Sequence, residues 1–330
     1  MSAPEIWTIE RILKVTQEYF ASKRIESARL DAELLLVHVI KVPRITLYTN
    51  FDRPLQQAEV DAYRALVKRR GNHEPVAYIM GVREFYGRSY EVTRDVLVPR
   101  PETEHLVDAV LEWVRKNGID SPRIIDVGTG SGAIAVTLAS ELPEASVTAV
   151  DISEAALAVA RGNAAALSAS VEFITSDLLA GVASQQQYDV IVANLPYIGE
   201  NERASLPAAV RDHEPAVALF SGADGLDAIR RLAREAIPSL ATSGLLALEI
   251  GCGQSAILRN GLPKLGWKGV TVRADLAGHA RVLMATNDDD GVLRLHRALP
   301  KDNAHVITAE AEAAAAAFEA TVVMDVEKVL

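Results

Sequence analysis

From Arg123 to Glu249 the chain alternates between two hydrophobic periods, and this limits its fold more than any other feature. Short β-branched apolar runs at 123–127, 147–151, 171–175, 189–193 and 245–249 have the unbroken hydrophobicity of strands buried on both faces. Between them lie helical segments at 133–140, 153–167, a weaker one at 178–182, and 226–240. Such alternation makes parallel strands joined by crossover helices, with helices covering both faces of an open sheet. Two further runs, 269–272 and 281–286, are too close for a crossover helix and are expected as an antiparallel pair. The predicted core is α/β, a doubly wound, mostly parallel, seven-stranded Rossmann-like sheet within residues 99–286.

The rest of the chain reads differently. Residues 1–73 carry only helical patterns, at 8–20, 28–40, 44–48 and 56–70, with Ser27 expected as the N-cap of the second. Aromatic and β-branched residues around Gly87 make 74–98 an expected hairpin linker. Past Asn287, Asp288-Asp289-Asp290-Gly291 reads as a turn and 310–319 as an alanine-rich helix, so 287–330 is expected to be an appended extension. With 34 Lys and Arg against 44 Asp and Glu, the net charge is −10, and no basic block offers a direct grip on nucleic acid. The lone Cys252 excludes an internal disulfide and fits a reducing compartment. Neither a signal-peptide pattern nor a bilayer-length apolar run is seen, so a cytoplasmic protein without membrane contact is expected, and a monomer is the simplest state.

Three constellations carry chemistry. Asp126-Val127-Gly128-Thr129-Gly130-Ser131-Gly132 follows the first strand, where glycines tighten the turn and let a ligand approach the backbone. Its spacing admits two readings, a dinucleotide fingerprint or a loop for a cofactor with no pyrophosphate, with Asp126 near a cationic amino group in the second. Asp151 ends the next strand, placed to accept ribose hydroxyls; Asp177 is placed for an adenine amino group, with Leu178 beside the ring. Asn194-Leu195-Pro196-Tyr197 closes the fourth strand, and Pro196 enforces an extended turn. A planar amide or aromatic NH₂ is a poor nucleophile because its lone pair is delocalised. The Asn194 side-chain oxygen and the Leu195 carbonyl can accept its two N–H bonds, and Tyr197 can stack on its plane, orienting the nitrogen without a strong base. The seven histidines show no metal-ligand spacing, so no metal is expected, and Gly130-Ser131-Gly132 lacks the elbow of a hydrolase nucleophile.

Taken together, these motifs resemble the class I S-adenosylmethionine-dependent methyltransferases. Within them, the chain is similar to the protein-glutamine N5-methyltransferases that modify peptide chain release factors. The resemblance covers about residues 8–286 and is most specific at Glu74-Pro75-Val76-Ala77-Tyr78-Ile79-Met80-Gly81, Glu84-Phe85-Tyr86-Gly87 and Val98-Pro99-Arg100-Pro101-Glu102-Thr103-Glu104. It continues at Glu214-Pro215-Ala216-Val217-Ala218-Leu219-Phe220, Asp224-Gly225-Leu226-Asp227, Glu249-Ile250-Gly251 and Asp275-Leu276-Ala277-Gly278. It implies S-adenosylmethionine as cofactor, S-adenosylhomocysteine as product, and the Gly-Gly-Gln glutamine of class 1 release factors as substrate. A helical N-terminal domain would help to hold that partner. On this footing Asp126, Val127, Gly128, Thr129, Gly130, Gly132, Asp151, Asp177, Leu178 and Asn194 hold the cofactor. Asn194, Leu195, Pro196 and Tyr197 hold the substrate, with Asn194 and Tyr197 catalytic. Leu195 departs from the family's usual proline and is more familiar from adenine N6-methyltransferases of ribosomal RNA; leucine keeps the carbonyl that the chemistry needs. An adenine methyltransferase acting on RNA or DNA and a non-catalytic cofactor-binding partner of translation are the alternatives. A dehydrogenase leaves the tetrapeptide without a task.

Overall fold

Contacts divide the protein into two units: one holds the chain up to Val82 with Val92–Arg94 and Leu206–Glu214, the other Arg83–Glu91, Asp95–Ser205 and the chain from Pro215 onward. The computed structural model describes residues 6–182, 187–275 and 277–298. In the first unit α1 (Ile9–Ser22), α2 (Ala28–Ile40), α3 (Thr46–Thr49), α4 (Gln57–Gly71) and α5 (Val76–Met80) gather around Phe20, Leu35, Leu36, Val60 and Tyr63. Thr8 caps α1 by accepting the Arg11 N–H at 3.3 Å. Ser27 makes no such bond to α2: at φ −86° and ψ 27° it lacks the extended backbone that turns a cap oxygen toward the helix. Arg69, with Arg94 adding to it, holds the Glu74 carboxyl down to about 2. Among the described residues no helix is long and apolar enough to cross a membrane.

A two-stranded sheet of β1 (Val82–Phe85) and β2 (Arg88–Glu91) turns on Tyr86 and Gly87, at φ +50° and +69°. Two consecutive left-handed residues make the mirror-image turn that matches strand twist. The large sheet holds β3 (Arg123–Val127), β4 (Ser146–Asp151), β5 (Glu172–Thr175), β6 (Tyr188–Ala193), β7 (Leu240–Glu249), β8 (Lys268–Ala274) and β9 (Ala280–Thr286). Their order is β5-β4-β3-β6-β7-β9-β8; every pair is parallel except those made by β9. Successive residues of β3 point to opposite cores. Ile124 joins α6 (Glu104–Lys116), α7 (Ala133–Glu141) and Ala164 of α8 (Glu154–Ala166). Past α9 (Ala208–Arg211), a single turn of the first unit, α10 (Asp227–Ser239) and α11 (Ser255–Gly261) pack with Ile125 on the other face.

Besides the Ser27 cap, three further local expectations change. Residues 178–182 form a turn rather than a helix, with Leu178 at φ +50°. Strand β7 begins at Leu240, where the helix was expected to end; Leu240 is already extended, and a register shift against β6 accommodates the extra residues. The acidic run past Asn287 is no turn but the start of α12 (Asp289–Ala298), where Asp288 accepts the Gly291 N–H at 2.6 Å and acids face the positive helix end. A Cβ on Gly291 would lie 2.7 Å from the Thr286 Cβ, so the missing side chain lets α12 lie against β9. Leu295 and Ala298 are buried in the same core as α6, so 289–298 is part of the sheet unit and not an appendage. The stretch 310–319 lies outside the described residues.

Candidate active site

A cleft of about 370 Å³ opens at the carboxyl ends of β3, β4, β5 and β6, where open α/β sheets bind ligands. Gly128, Thr129 and Gly130 form one wall; Gly128 and Gly130 stand at φ +75° and +54°. The Gly128 and Thr129 N–H groups donate to the Val150 carbonyl at 2.8 and 3.0 Å, and Gly130 N–H donates to Asp151 Oδ2 at 2.9 Å. The other Asp151 oxygen accepts from the Ser153 N–H at 2.9 Å, so this acid ties the glycine loop to the entry of α8 while facing the cleft. Gly132 and Val127 do not line the cleft. Gly132, at φ +79°, lets α7 approach α8, since a Cβ there would sit 3.1 Å from the Ala160 Cβ.

Asp126 lies beneath the loop and is fully buried. Its Oδ2 accepts from Thr129 Oγ at 2.7 Å and the Ala135 N–H at 3.2 Å, while its buried Oδ1 has no partner. Burial pushes it up to about 7, with the Thr129 and Ala135 bonds opposing. The structure gives Asp126 the task of holding the loop from below rather than a place on the cleft wall. Asn163, absent from the sequence reading, clasps the same loop: its buried amide donates to the Ser131 carbonyl at 2.9 Å and exchanges two bonds with Glu91. An Asn inside an apolar helical face was the only signal for it.

Asp177 and Leu178 both reach the cleft. Both Asp177 oxygens accept from Arg231 Nη1 at 2.8 Å, and Arg231 also bonds Glu235 at 2.7 Å, which in turn accepts the Leu179 N–H. Helix α10 therefore straps down the turn that carries Leu178.

Of the tetrapeptide, Asn194, Leu195 and Pro196 line the cleft and Tyr197 does not. The Leu195 side chain is buried, its Cδ2 filling the space beside Gly128 where a Cβ would come within 3.0 Å. Tyr197 turns its hydroxyl to Glu249 Oε1 at 3.4 Å and its carbonyl accepts from Gln254 Nε2 at 2.8 Å, so the geometry does not present its ring for stacking in the cleft. Burial raises the Tyr197 phenol above its usual range, and the neighbouring Glu249 adds to the rise. Asn194 Nδ2 donates to Thr103 Oγ at 3.1 Å, and Thr103 Oγ–H donates to Glu249 Oε2 at 2.6 Å. Glu249 is 1% exposed; burial raises its carboxyl, against the pull of Thr103 and of Arg281. Sequence reasoning gave Thr103 and Glu249 no role, because they stand far apart in the chain and meet only through folding.

The lining favours one kind of cofactor. Asp95, Asp151, Asp177 and Asp227 face the cleft, against the guanidiniums of Arg100 and Arg231. Excess negative charge repels a pyrophosphate and suits a ligand with sulfonium and ammonium centres. A Cβ on Gly130 would meet open space, so the backbone is free to be approached. The residues fit S-adenosylmethionine, and the dinucleotide reading of the glycine spacing falls away.

The chain matches a family model described as PrmC N-terminal domain over residues 11–81 and one described as Methyltransferase small domain over residues 106–210. It is 44% identical over 286 residues to the release factor glutamine methyltransferase of Rhodopirellula baltica, across 84% of this chain and 95% of that protein. The protein of the same description from Neisseria gonorrhoeae is 46% identical over 257 residues, 78% of this chain and 92% of its own. Among solved structures, the hMettl16 catalytic domain in complex with an RNA hairpin superposes with a TM-score of 0.53 at 17% identity, over 83% of this chain and 92% of that one. At that identity the likeness speaks for the fold alone.

Proposed function

The chain belongs to the release factor glutamine methyltransferases, and from this premise we propose how its cleft performs the transfer. It is an S-adenosylmethionine-dependent enzyme, which sets aside the adenine-methylating, non-catalytic and dehydrogenase alternatives. The substrate we assign is the Gly-Gly-Gln glutamine of a class 1 release factor, met in the cytoplasm.

The observation that carries this reading is Asn194, held at the end of β6 in the same cleft as Gly130 and Asp151. With its NH₂ committed to Thr103, its Oδ1 is left to accept one N–H of the substrate amide, and the Leu195 carbonyl accepts the other. Both acceptors gain strength as positive charge grows on the attacking nitrogen, so they act more on the transition state than on the ground state. S-adenosylmethionine bound there would supply an electrophilic methyl group, the new N–CH₃ bond replacing its S–CH₃ bond, with S-adenosylhomocysteine and one amide proton released. Gly128, Thr129 and Gly130 would hold it through backbone, Asp151 through ribose hydroxyls, and Asp177 and Leu178 at the base. Asp126, Val127 and Gly132 would shape the loop. Tyr197 would brace the tetrapeptide through Glu249 and Gln254 rather than by stacking.

The test is transfer of labelled methyl to purified release factor, to its Gln→Ala variant in the Gly-Gly-Gln loop, and to ribosomal RNA. Label is expected on the wild-type factor alone, with Asn194→Ala lowering kcat by about 10²- to 10³-fold, the scale of losing one preorganised transition-state contact. Label on RNA would show that Leu195 marks a nucleic-acid substrate.

A further inference from the structure

Asparagine alone does not specify which end of its amide faces a ligand, since the oxygen and the NH₂ are nearly equal in size. Here the choice has consequences. If the NH₂ of Asn194 met the NH₂ of a substrate glutamine, donor would face donor and the nitrogen would be repelled. Three groups fix the orientation. Glu249, the last residue of β7, is buried and presents Oε1 to the Tyr197 hydroxyl at 3.4 Å and Oε2 to the Thr103 hydroxyl at 2.6 Å. While it is ionised this carboxylate can only accept, and the single hydroxyl proton of Thr103 is then spent on it. Thr103 has only lone pairs left for Asn194, and these can bind the NH₂ end alone, at 3.1 Å.

We propose that Thr103, committed as a donor to Glu249, is the positioning residue that turns Asn194 Oδ1 toward the methyl acceptor. The proposal rests on the reading of Asn194 as the acceptor for the substrate amide. The placement follows from the fold. Ala193 and Leu248 are register partners on neighbouring parallel strands, so Asn194 and Glu249 leave the sheet side by side. Thr103, closing the 3₁₀ turn Pro101–Thr103 that leads into α6, bridges them. Its low exposure, 4%, keeps water from replacing either bond.

The experiment is a mutant cycle on the full chain, measuring kcat on purified release factor and the S-adenosylmethionine dissociation constant by calorimetry. Thr103→Val removes the hydroxyl at nearly constant shape and is expected to lower kcat by about 10- to 100-fold, the scale of a misplaced reacting group. Thr103→Ser, which keeps donor and acceptor, should restore most of the turnover, and cofactor affinity should change by less than about threefold in each, since Thr103 acts on the acceptor side. In the Asn194→Ala background Thr103→Val should add no further loss, because a residue acting through Asn194 has nothing left to orient. If the valine chain fails to bind cofactor, Thr103→Ala against Thr103→Ser carries the same comparison. Full turnover by Thr103→Val or Thr103→Ala, equal damage from serine and valine, or losses that multiply in the double variant would each overturn the relay while leaving Asn194 in place. Wild-type turnover by Asn194→Ala would overturn the reading of the site itself.

Discussion

Replacing Asp126 by Asn tests how burial of a charge beneath the glycine loop bears on stability. Burial raises Asp126 from 3.8 to about 7, whereas in the unfolded chain it ionises at its ordinary value. A folded-state pKa above the unfolded one means that the folded protein holds the proton more tightly. Its stabilising contribution is whole below about pH 4 and is lost as the pH rises through about 7. A separation of about 3 pH units at 1.36 kcal/mol each makes the loss about 4 kcal/mol. Asn at this position has no charge to desolvate, and its oxygen can still accept from Thr129 and Ala135. The variant is therefore expected to gain on the wild type between pH 4 and pH 8, by roughly 8–16 °C in Tm if 1 kcal/mol is worth about 2–4 °C in a unit of this size. Thermal melts of both chains, followed by circular dichroism without ligand across that range, supply the comparison. Every other carboxylate is common to the two and cancels in the difference. Parallel Tm–pH curves would refute the account.

Gly132→Ala should destabilise the fold by about 2–4 kcal/mol in chemical denaturation, combining left-handed strain with a Cβ 3.1 Å from that of Ala160. Gly130→Ala, which opens into free space at φ +54°, should cost only about 1–2 kcal/mol of backbone strain. Arg231→Ala releases Asp177 and the Leu178 turn from α10, and calorimetry should show S-adenosylmethionine bound several-fold more weakly. Because that pair is about half exposed, unfolding free energy should fall by less than about 1 kcal/mol. Asn163→Ala strips three hydrogen bonds from a residue 2% exposed and should lower stability by about 2–4 kcal/mol, read from urea midpoints.

The sheet was legible because each strand states its own character locally: Ile124-Ile125 or Val190-Ile191-Val192 needs no distant partner to read as buried on both faces. Reading failed where a neighbour overrides local chemistry. Asp288-Asp289-Asp290-Gly291 has turn composition, yet the gap at Gly291 against Thr286 and the core contact of Leu295 make it a helix start. Leu240 to Gly244 follows a helix without a turn signal, and what draws it into the sheet is the pairing of Leu240 with Tyr188 across a register shift. At the site, residues gathered by one strand end, such as Asn194 with Leu195 or Asp151 closing β4, could be found from sequence. Burial of Asp126, the turning away of Tyr197 and the Thr103–Glu249 bond across 146 positions depend on tertiary packing, which has no local signature.

The order of the sheet also bears on how the chain leaves the ribosome. Strand β9 is made after β8 but lies between β8 and β7. Until residues 280–286 emerge, β7 is covered only by β6 on one side, and β8 has no neighbour in the sheet. Two rows of unpaired N–H and C=O groups then wait together on a nascent polypeptide, the condition under which strands pair with other chains. A message that stopped between Ala274 and Ala280 would yield a product holding every cleft side chain from Asp95 to Asn194, and Glu249 behind them, yet lacking the strand that joins β7 to β8.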